Sequence, residues 1–161
     1  MNIITVPYGS KGFYARPDTS LNRDSNDYFC PEEATELAAA VFIYAKAAKA
    51  GKCVASKFAG RYYCVVGKGI HLSAPSFNDG TPVGWWTANS LDSSTFITEE
   101  MPAESASAEE IEKLNAAIEI VSKHVSFRTG DYIAVEIGPS TEIKKGESSF
   151  TCNNTTINII W

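Results

Sequence analysis

The segment from Glu32 to Lys52 constrains the fold more than any other part of the chain, because it runs without a glycine or proline until Gly51. Its alanine content, the preceding Pro31 and the Lys-Gly-Lys ending favour a helix. Within it, however, AAAVFIY is a continuous apolar run with β-branched and aromatic members, which is equally typical of a buried strand. The residue pattern alone therefore leaves both structures open.

Most of the remaining chain predicts short strands separated by turns. The clear exception is SASAEEIEKLNAAIEIVSKHV, where Ser107 and Glu110 form a capping-box pattern ahead of an apolar stripe on one helix face. A second, short helix is predicted at ASKFAGRYYCV. Strands are predicted at MNIITV, CVVGKGIHLSA, Thr95–Thr98, DYIAVEIG and a C-terminal hairpin that turns at Asn153–Asn154. The length of 161 residues fits one domain, 1–161, whose core needs no disulfide or metal.

Charge and hydropathy argue against two classes of partner. The net charge is −5 and the lysines are scattered along the chain, so we expect neither a nucleic acid nor an anionic membrane as partner. No apolar run approaches the roughly 20 residues that cross a bilayer. MNIITVPYGSKGF has no charged region ahead of its apolar patch, so it predicts a first strand rather than a signal peptide. We expect a cytoplasmic protein.

The four cysteines show no metal-site or redox spacing. Cys30, Cys53, Cys64 and Cys152 form no C-x-x-C pair and lie at no zinc-finger spacing from the two histidines. In a chain expected to be cytoplasmic, this cysteine spacing predicts reduced, mostly buried thiols. A disulfide framework is the alternative.

No nucleotide-binding, metalloprotease or serine-hydrolase motif occurs in the sequence. His124 falls in the last turn of the predicted helix, where it complements the helix dipole. This leaves His71, in the strand CVVGKGIHLSA, whose ordinary role would be structural, with its ring satisfied by hydrogen bonds. Together with Glu36 and Asp92 it could instead offer a mixed nitrogen and oxygen ligand set to a metal ion. The alternative is that these three are unrelated surface or turn residues, because their separation in the sequence does not show that they meet.

Several motifs occur in an order that is found in one known family. ARPDTSL, from residue 15, is similar to KPDSSL, and EATELAAAVFI is similar to YETEL with its apolar strand. FAGRYYCVVGKGIHLSA, residues 58–74, is similar to FA-RYYD-VTVGIDFTAR, WTANSLD to W---KGFD, and FRTGDYI to LK-GD-I. In this order and over most of its length, the chain resembles the short, bacterial type of the fumarylacetoacetate hydrolase (FAH) family.

The resemblance implies a fold that residue propensities leave open. It implies an α+β fold, a mixed and mainly β roll of the FAH C-terminal-domain type with a few helices, usually assembled as a homodimer. It also implies that Glu36–Tyr44 is a strand, against its helix propensity.

The same resemblance implies a degraded site. FAH enzymes bind Mg²⁺ or Mn²⁺ through a Glu-x-Glu pair and an Asp, and those positions fall here on Ala34, Glu36 and His71. The family Arg falls on Pro75, the Lys before FD falls on Asn89, and the following Asp is kept as Asp92. The catalytic His and Glu of the family lie in an N-terminal lid after the first strand, and this chain lacks that lid segment.

We therefore expect a non-catalytic FAH-like protein, a pseudoenzyme that needs no cofactor. It would bind a small organic acid in a cleft or serve as a partner subunit of an active paralogue. The predicted cleft residues are Glu36, His71, Asn89 and Asp92. The alternative is a metal-dependent C–C bond hydrolase or decarboxylase of acylpyruvates or 2-oxo acids. In that case Glu36, His71 and Asp92 would hold Mg²⁺, Mn²⁺ or a transition metal in a rebuilt site.

Overall fold

The computed structural model describes residues 1–161 as two β-sheets with three α-helices. The strands are β1 (Ile3–Val6), β2 (Tyr14–Arg16), β3 (Asp27–Phe29), β4 (Glu36–Ala47), β5 (Tyr63–Ser73), β6 (Thr95–Pro102), β7 (Tyr132–Glu136), β8 (Thr141–Lys144), β9 (Ser149–Cys152) and β10 (Thr155–Ile160). The helices are α1 (Ser56–Ala59), α2 (Pro82–Asn89) and α3 (Ala108–Ser122), and 3₁₀ turns lie at Asp18–Ser20, Pro75–Phe77 and Ala103–Ser105.

The larger sheet has seven strands and curls into a roll. Its order is β2-β1-β7-β4-β5-β6, and β8 pairs with β4 beyond the end of β7. The two ends of this sheet meet, because Leu21 forms a parallel bridge with Thr95 of β6. Asn22 N donates to Thr95 O at 2.9 Å, and Ser93 N donates to Thr19 O at 2.9 Å. One face of the sheet is thereby enclosed, and we call it the inside of the roll.

The core is divided by this sheet. Alternate residues of a strand point to opposite faces. On β4, Phe42 and Tyr44 fill the inside of the roll, whereas Ile43 packs on the outside under α3. Further along the same outer face, Leu37 packs against the small sheet formed by β3, β10 and β9. The predicted α+β, mainly β architecture is therefore confirmed.

The ambiguous segment is a strand. β4 is 12 residues long and lies at the centre of the large sheet, paired with β5 on one side and with β7 and β8 on the other. A strand with partners on both sides satisfies its backbone groups and buries both faces, and such tertiary context overrides the helix propensity of alanine. The strand expected over Glu36–Tyr44 is confirmed and continues to Ala47.

The two glycines of β5 make room for aromatic rings inside the roll. A Cβ at Gly67 would lie 2.6 Å from the ring of Tyr44, and one at Gly69 would overlap the ring of Phe42. Both rings lie across the glycines of the neighbouring strand. A bulge against β6 falls between Lys68 and Gly69, so the strand predicted at CVVGKGIHLSA is a single bulged strand.

The helix and hairpin predicted from local signals are confirmed. Ser107 caps α3 through a capping box with Glu110, and the apolar stripe of α3 packs on the roll. Asn153 and Asn154 both have positive φ, 50° and 61°, as a tight hairpin turn between β9 and β10 requires. None of the three helices combines the length and the apolar character needed to span a membrane.

Three local expectations are wrong. The helix predicted over ASKFAGRYYCV lasts only four residues, because β5 already begins at Tyr63 to pair with β4. All four cysteines are free, but Cys53 and Cys64 are exposed rather than buried. His124 lies just beyond the end of α3 at Ser122 instead of in its last turn.

Candidate functional site

Of the three positions that carry the metal in the FAH resemblance, Ala34 lies two residues before β4, Glu36 begins β4 and His71 lies on β5. Ala40 of β4 is directly opposite His71 of β5, and directly opposite residues share one face. His71 therefore points to the inside of the roll, together with Phe42. Glu36 has the same orientation because it lies an even number of residues from Ala40.

His71 is completely enclosed by its neighbours. Its Nε2 lies 3.2 Å from Oγ1 of Thr5 on β1, and its Nδ1 lies 3.1 Å from Oγ1 of Thr95 on β6. The ring stacks on Phe42 with centroids 3.9 Å apart, and only 2 % of the residue is exposed. Both ring nitrogens already have partners, so the histidine joins three strands of the roll.

The electrostatic environment keeps His71 neutral. Burial is the main cause that lowers the pKa of this imidazole well below 6.5, and the nearby positive charge of Arg16 lowers it further. A neutral imidazole has one donor and one acceptor nitrogen, which suits two threonine hydroxyls. The ring is therefore poorly placed to accept a proton near neutral pH.

Arg16, on β2, is a buried cation that sequence analysis did not single out. It is 1 % exposed, and its Nη2 donates to Leu72 O at 2.9 Å and to the hydroxyl of Ser94. Nη1 donates to the Tyr14 hydroxyl at 3.4 Å, while Nε has no partner. Arg16 takes part in none of the ion pairs of the chain. The signal in the sequence was the basic residue that precedes proline in ARPDTSL.

The inside of the roll also holds a carboxylate that was not predicted. Glu136 of β7 lies opposite Phe42 and accepts a hydrogen bond from Tyr8 N at 3.0 Å. Burial raises the pKa of this carboxyl, and the hydrogen bond from Tyr8 and the charge of Arg16 oppose that shift. Glu136 and Arg16 thus influence each other without forming an ion pair.

Glu36 does not lie beside His71. It is half-buried at the start of β4, opposite Lys144 of β8. It precedes Ala40, the residue opposite His71, by four positions, which corresponds to about 13 Å along a strand. Ala34, on the other metal-ligand position, is fully buried in the apolar cluster beneath the small sheet.

Asn89 and Asp92 lie outside the inner face. Asn89 ends α2, and its Nδ2 donates to Trp85 O at 2.8 Å. Asp92 is exposed in the turn that leads to β6. None of the surface depressions of the molecule is lined by Glu36, His71, Asn89 or Asp92. The structure therefore places the four predicted cleft residues in separate environments.

Comparison of the whole molecule with solved structures places this geometry in a known fold. An FAH family protein of Yersinia pestis superposes with a TM-score of 0.75 at 13 % identity, over 99 % of this chain and 91 % of the other. Fumarylpyruvate hydrolase of Pseudomonas aeruginosa, solved with Mn²⁺ and pyruvate, gives 0.76 at 12 % identity, over 99 % and 89 %. This chain has the FAH fold. The fold implied by the sequence motifs is thus confirmed.

A third solved structure of similar fold shows how weak the sequence signal is. 5-Carboxymethyl-2-hydroxymuconate delta-isomerase of Mycobacterium smegmatis has a TM-score of 0.71 at 15 % identity, over 99 % of this chain and 75 % of the other. No model of a protein family matches the sequence, and no curated protein matches it either. The likeness to the FAH proteins is therefore one of fold.

The residues of this FAH fold do not fit a Mg²⁺ or Mn²⁺ ion. Such ions prefer several oxygen ligands in near-octahedral geometry. The resemblance assigns one ligand position to the buried Ala34 and another to His71, whose two nitrogens are engaged by threonine hydroxyls. No three His, Cys, Asp or Glu side chains are close enough together to hold an ion.

The connection between β1 and β2 contains neither of the two residue types that the resemblance implies for acid–base catalysis. In the FAH fold of this chain, residues 7–13 form that connection, and their sequence PYGSKGF contains neither histidine nor glutamate. General acid–base catalysis needs a titratable side chain within hydrogen-bond reach of the substrate. This segment cannot supply the His–Glu pair that the resemblance implies for an active enzyme.

Proposed function

We propose that this chain is a non-catalytic FAH-fold protein whose function is binding rather than turnover. The observation that supports it most directly is His71, which joins β1, β5 and β6 through two threonine hydroxyls and a stacked phenylalanine. A side chain used in this way stabilises the roll, and it is withdrawn from solvent and from any ligand. The position that corresponds to a metal-binding Asp has thus acquired a structural role.

The proposed ligand is a small organic acid, held by the buried cation of the roll. Arg16 has no carboxylate partner and one unpaired nitrogen, and a buried guanidinium favours a bidentate anion. Tyr14 contacts Arg16 and packs edge-on against Trp85 of α2, with ring centroids 4.8 Å apart. Because Arg16 is only 1 % exposed, binding of an acid there requires the surrounding side chains to move.

The second proposed role is that of a subunit, either in a homodimer or beside an active paralogue. Exposed apolar side chains on α2 support it, since Val83 is 74 % exposed and Trp86 is 50 % exposed. They are three residues apart and share one side of the helix. Large exposed apolar residues on one helix side are typical of an interface.

We propose a cytoplasmic location for this protein.

The alternative function is a metal-dependent hydrolase or decarboxylase of acylpyruvates or 2-oxo acids. It would require Glu36, His71 and Asp92 to converge on one ion. That convergence requires His71 to give up at least one threonine contact and Asp92 to leave its exposed turn. This alternative is kept as an outcome of the test below.

The test is an activity assay on acylpyruvates, fumarylacetoacetate and oxaloacetate with Mg²⁺, Mn²⁺ and Zn²⁺ supplied in turn. General acid–base catalysis contributes about 10²–10⁴-fold, and metal polarisation adds several kcal/mol, so losing both leaves background turnover. We expect that result for the native chain. Metal-dependent turnover that disappears in His71→Ala and Glu36→Ala but persists in His124→Ala would overturn the proposal and favour the rebuilt site.

A further inference from the structure

One end of the molecule gathers basic side chains that are far apart in the sequence. Residues 46–62 and 123–131 meet there, because Gly51 and Phe127 exchange two backbone hydrogen bonds of 3.1 Å. Together these segments contain seven of the 14 Lys and Arg residues and a single carboxylate, the buried Asp131. We call this region the basic end. The lysines are scattered along the sequence, but the fold brings half of the basic residues together at this end.

Most charges of the basic end are free to meet a partner. Its exposed cations are Lys49, Lys52, Lys57, Arg61, Lys123 and Arg128. Of these, only Lys123 forms an ion pair, with Glu119 at 2.8 Å. The chain as a whole has a net charge of −5. The molecule is therefore strongly polarised, with its positive charge concentrated at this end.

An exposed apolar ring lies among these cations. Phe58 of α1 is 42 % exposed, and Lys57 Nζ and Arg61 Cζ each lie 4.9 Å from its ring centroid. Lysine and arginine side chains at a lipid surface keep their charged heads among the phosphates, while a neighbouring aromatic ring enters the headgroup region. Phe58 and its two cations have the composition that such a surface requires.

A nucleic acid fits the basic end less well. Single-stranded binding relies on free aromatic faces for base stacking, but here Lys49 covers Tyr62 at 4.6 Å and two cations flank Phe58. The two depressions at this end are each lined by a carboxylate, Glu112 in one and Glu119 in the other. A phosphate backbone that followed either depression would meet a negative charge.

We propose that the basic end docks peripherally on a membrane surface that contains anionic phospholipid. Each Lys or Arg near such a surface contributes about fivefold to partitioning, and salt weakens the attraction. Of the 19 Asp and Glu residues, 18 lie outside the two segments of the basic end, and Glu112 and Glu119 of α3 line its two depressions. This interaction is independent of what the inside of the roll binds.

The test is a vesicle flotation assay with the full chain. Vesicles of phosphatidylcholine with phosphatidylserine are compared with pure phosphatidylcholine vesicles, at low and at high salt. The test variant is Lys52→Gln with Arg128→Gln, whose side chains have no hydrogen-bond or ion-pair partner. The control is Lys144→Gln with Lys145→Gln, which removes the same charge from two exposed lysines of β8 and the turn after it, together with one 3.4 Å hydrogen bond from Lys145 Nζ to Ala34 O.

We expect binding only to the anionic vesicles at low salt, with an approximately 30-fold loss in the test variant and native binding in the control. Phe58→Ser in the native chain should also weaken binding to the anionic vesicles. Phe29→Ser, which removes another exposed ring, should leave binding unchanged. The proposal would be overturned by equal binding to neutral vesicles or by an equal loss of binding in the control variant. It would also be overturned if a single-stranded oligonucleotide bound the protein more tightly and released it from the vesicles.

Discussion

At His71 the roll surrounds an imidazole with groups that suit its neutral form. Thr5 and Thr95 offer hydroxyls that can donate or accept, and Phe42 covers one ring face. A proton on this ring would add a second positive charge near Arg16 in a buried space, at a considerable desolvation cost. The consequence is a measurable dependence of stability on pH.

The free energy of unfolding should fall as the pH drops below 6.5. The unfolded imidazole takes up a proton near its ordinary pKa of 6.5, whereas the pKa of the folded ring lies well below this value. Below pH 6.5 the unfolded state therefore binds more protons, and stability is lost at up to about 1.4 kcal/mol per pH unit until the folded pKa is reached. Urea unfolding at a series of pH values measures this slope.

The matched variants are His71→Gln and His124→Gln. The first should lower stability at neutral pH and flatten the slope below pH 6.5, and the second is the control at an exposed histidine. Glu136 titrates in all three proteins, so its contribution cancels in the comparison. An unchanged slope in His71→Gln would show that the ring is not held neutral.

At the scale of elements, the packing of β5 against β4 depends on glycine. Gly69→Ala should destabilise the protein by about 1–3 kcal/mol, because the added methyl group overlaps the ring of Phe42 and displaces the ring that stacks on His71. Chemical denaturation measures the change. Gly60→Ala is the control, since nothing lies within 4 Å of its Cβ, and it should be neutral. Equal effects of the two substitutions would contradict the packing described here.

The elements differ in how far the sequence predicted them. α3 and the hairpin at Asn153–Asn154 depend on local signals, a capping box and a tight turn, and both were predicted correctly. β4 was predicted only through the family resemblance, because its strand character comes from partners on both sides that its own residues do not specify. α1 was predicted too long, since pairing with β4 takes over at Tyr63.

The candidate site was less predictable than the fold, for a physical reason. The motif order implies that His71 stands at a metal-ligand position, and that assignment stays a prediction. Its two hydrogen-bond partners could not be predicted, because Thr5 and Thr95 lie 66 and 24 residues away and approach only when the roll closes. Arg16 was overlooked for the same reason, since its contacts to Leu72 and Ser94 cross the closure of the sheet.

At the scale of the whole molecule, we expect a homodimer that uses the exposed side of α2. Burying Val83 and Trp86 would remove large apolar side chains from water. Light scattering at a concentration of tens of micromolar should give the mass of two chains. Val83→Ser with Trp86→Ser should give the mass of one chain, whereas Phe29→Ser should leave the assembly unchanged. A native monomer under these conditions would contradict the expected assembly.

We propose that this chain binds no divalent metal at the positions that the FAH resemblance assigns to one, and titration calorimetry with Mn²⁺ measures this property. Fumarylpyruvate hydrolase of Pseudomonas aeruginosa, whose structure contains Mn²⁺, provides the positive control. We predict no heat of binding for this chain, because Ala34 offers no ligand and both nitrogens of His71 are engaged. A dissociation constant near micromolar, a binding free energy of about −8 kcal/mol, that disappears in His71→Ala would contradict the account.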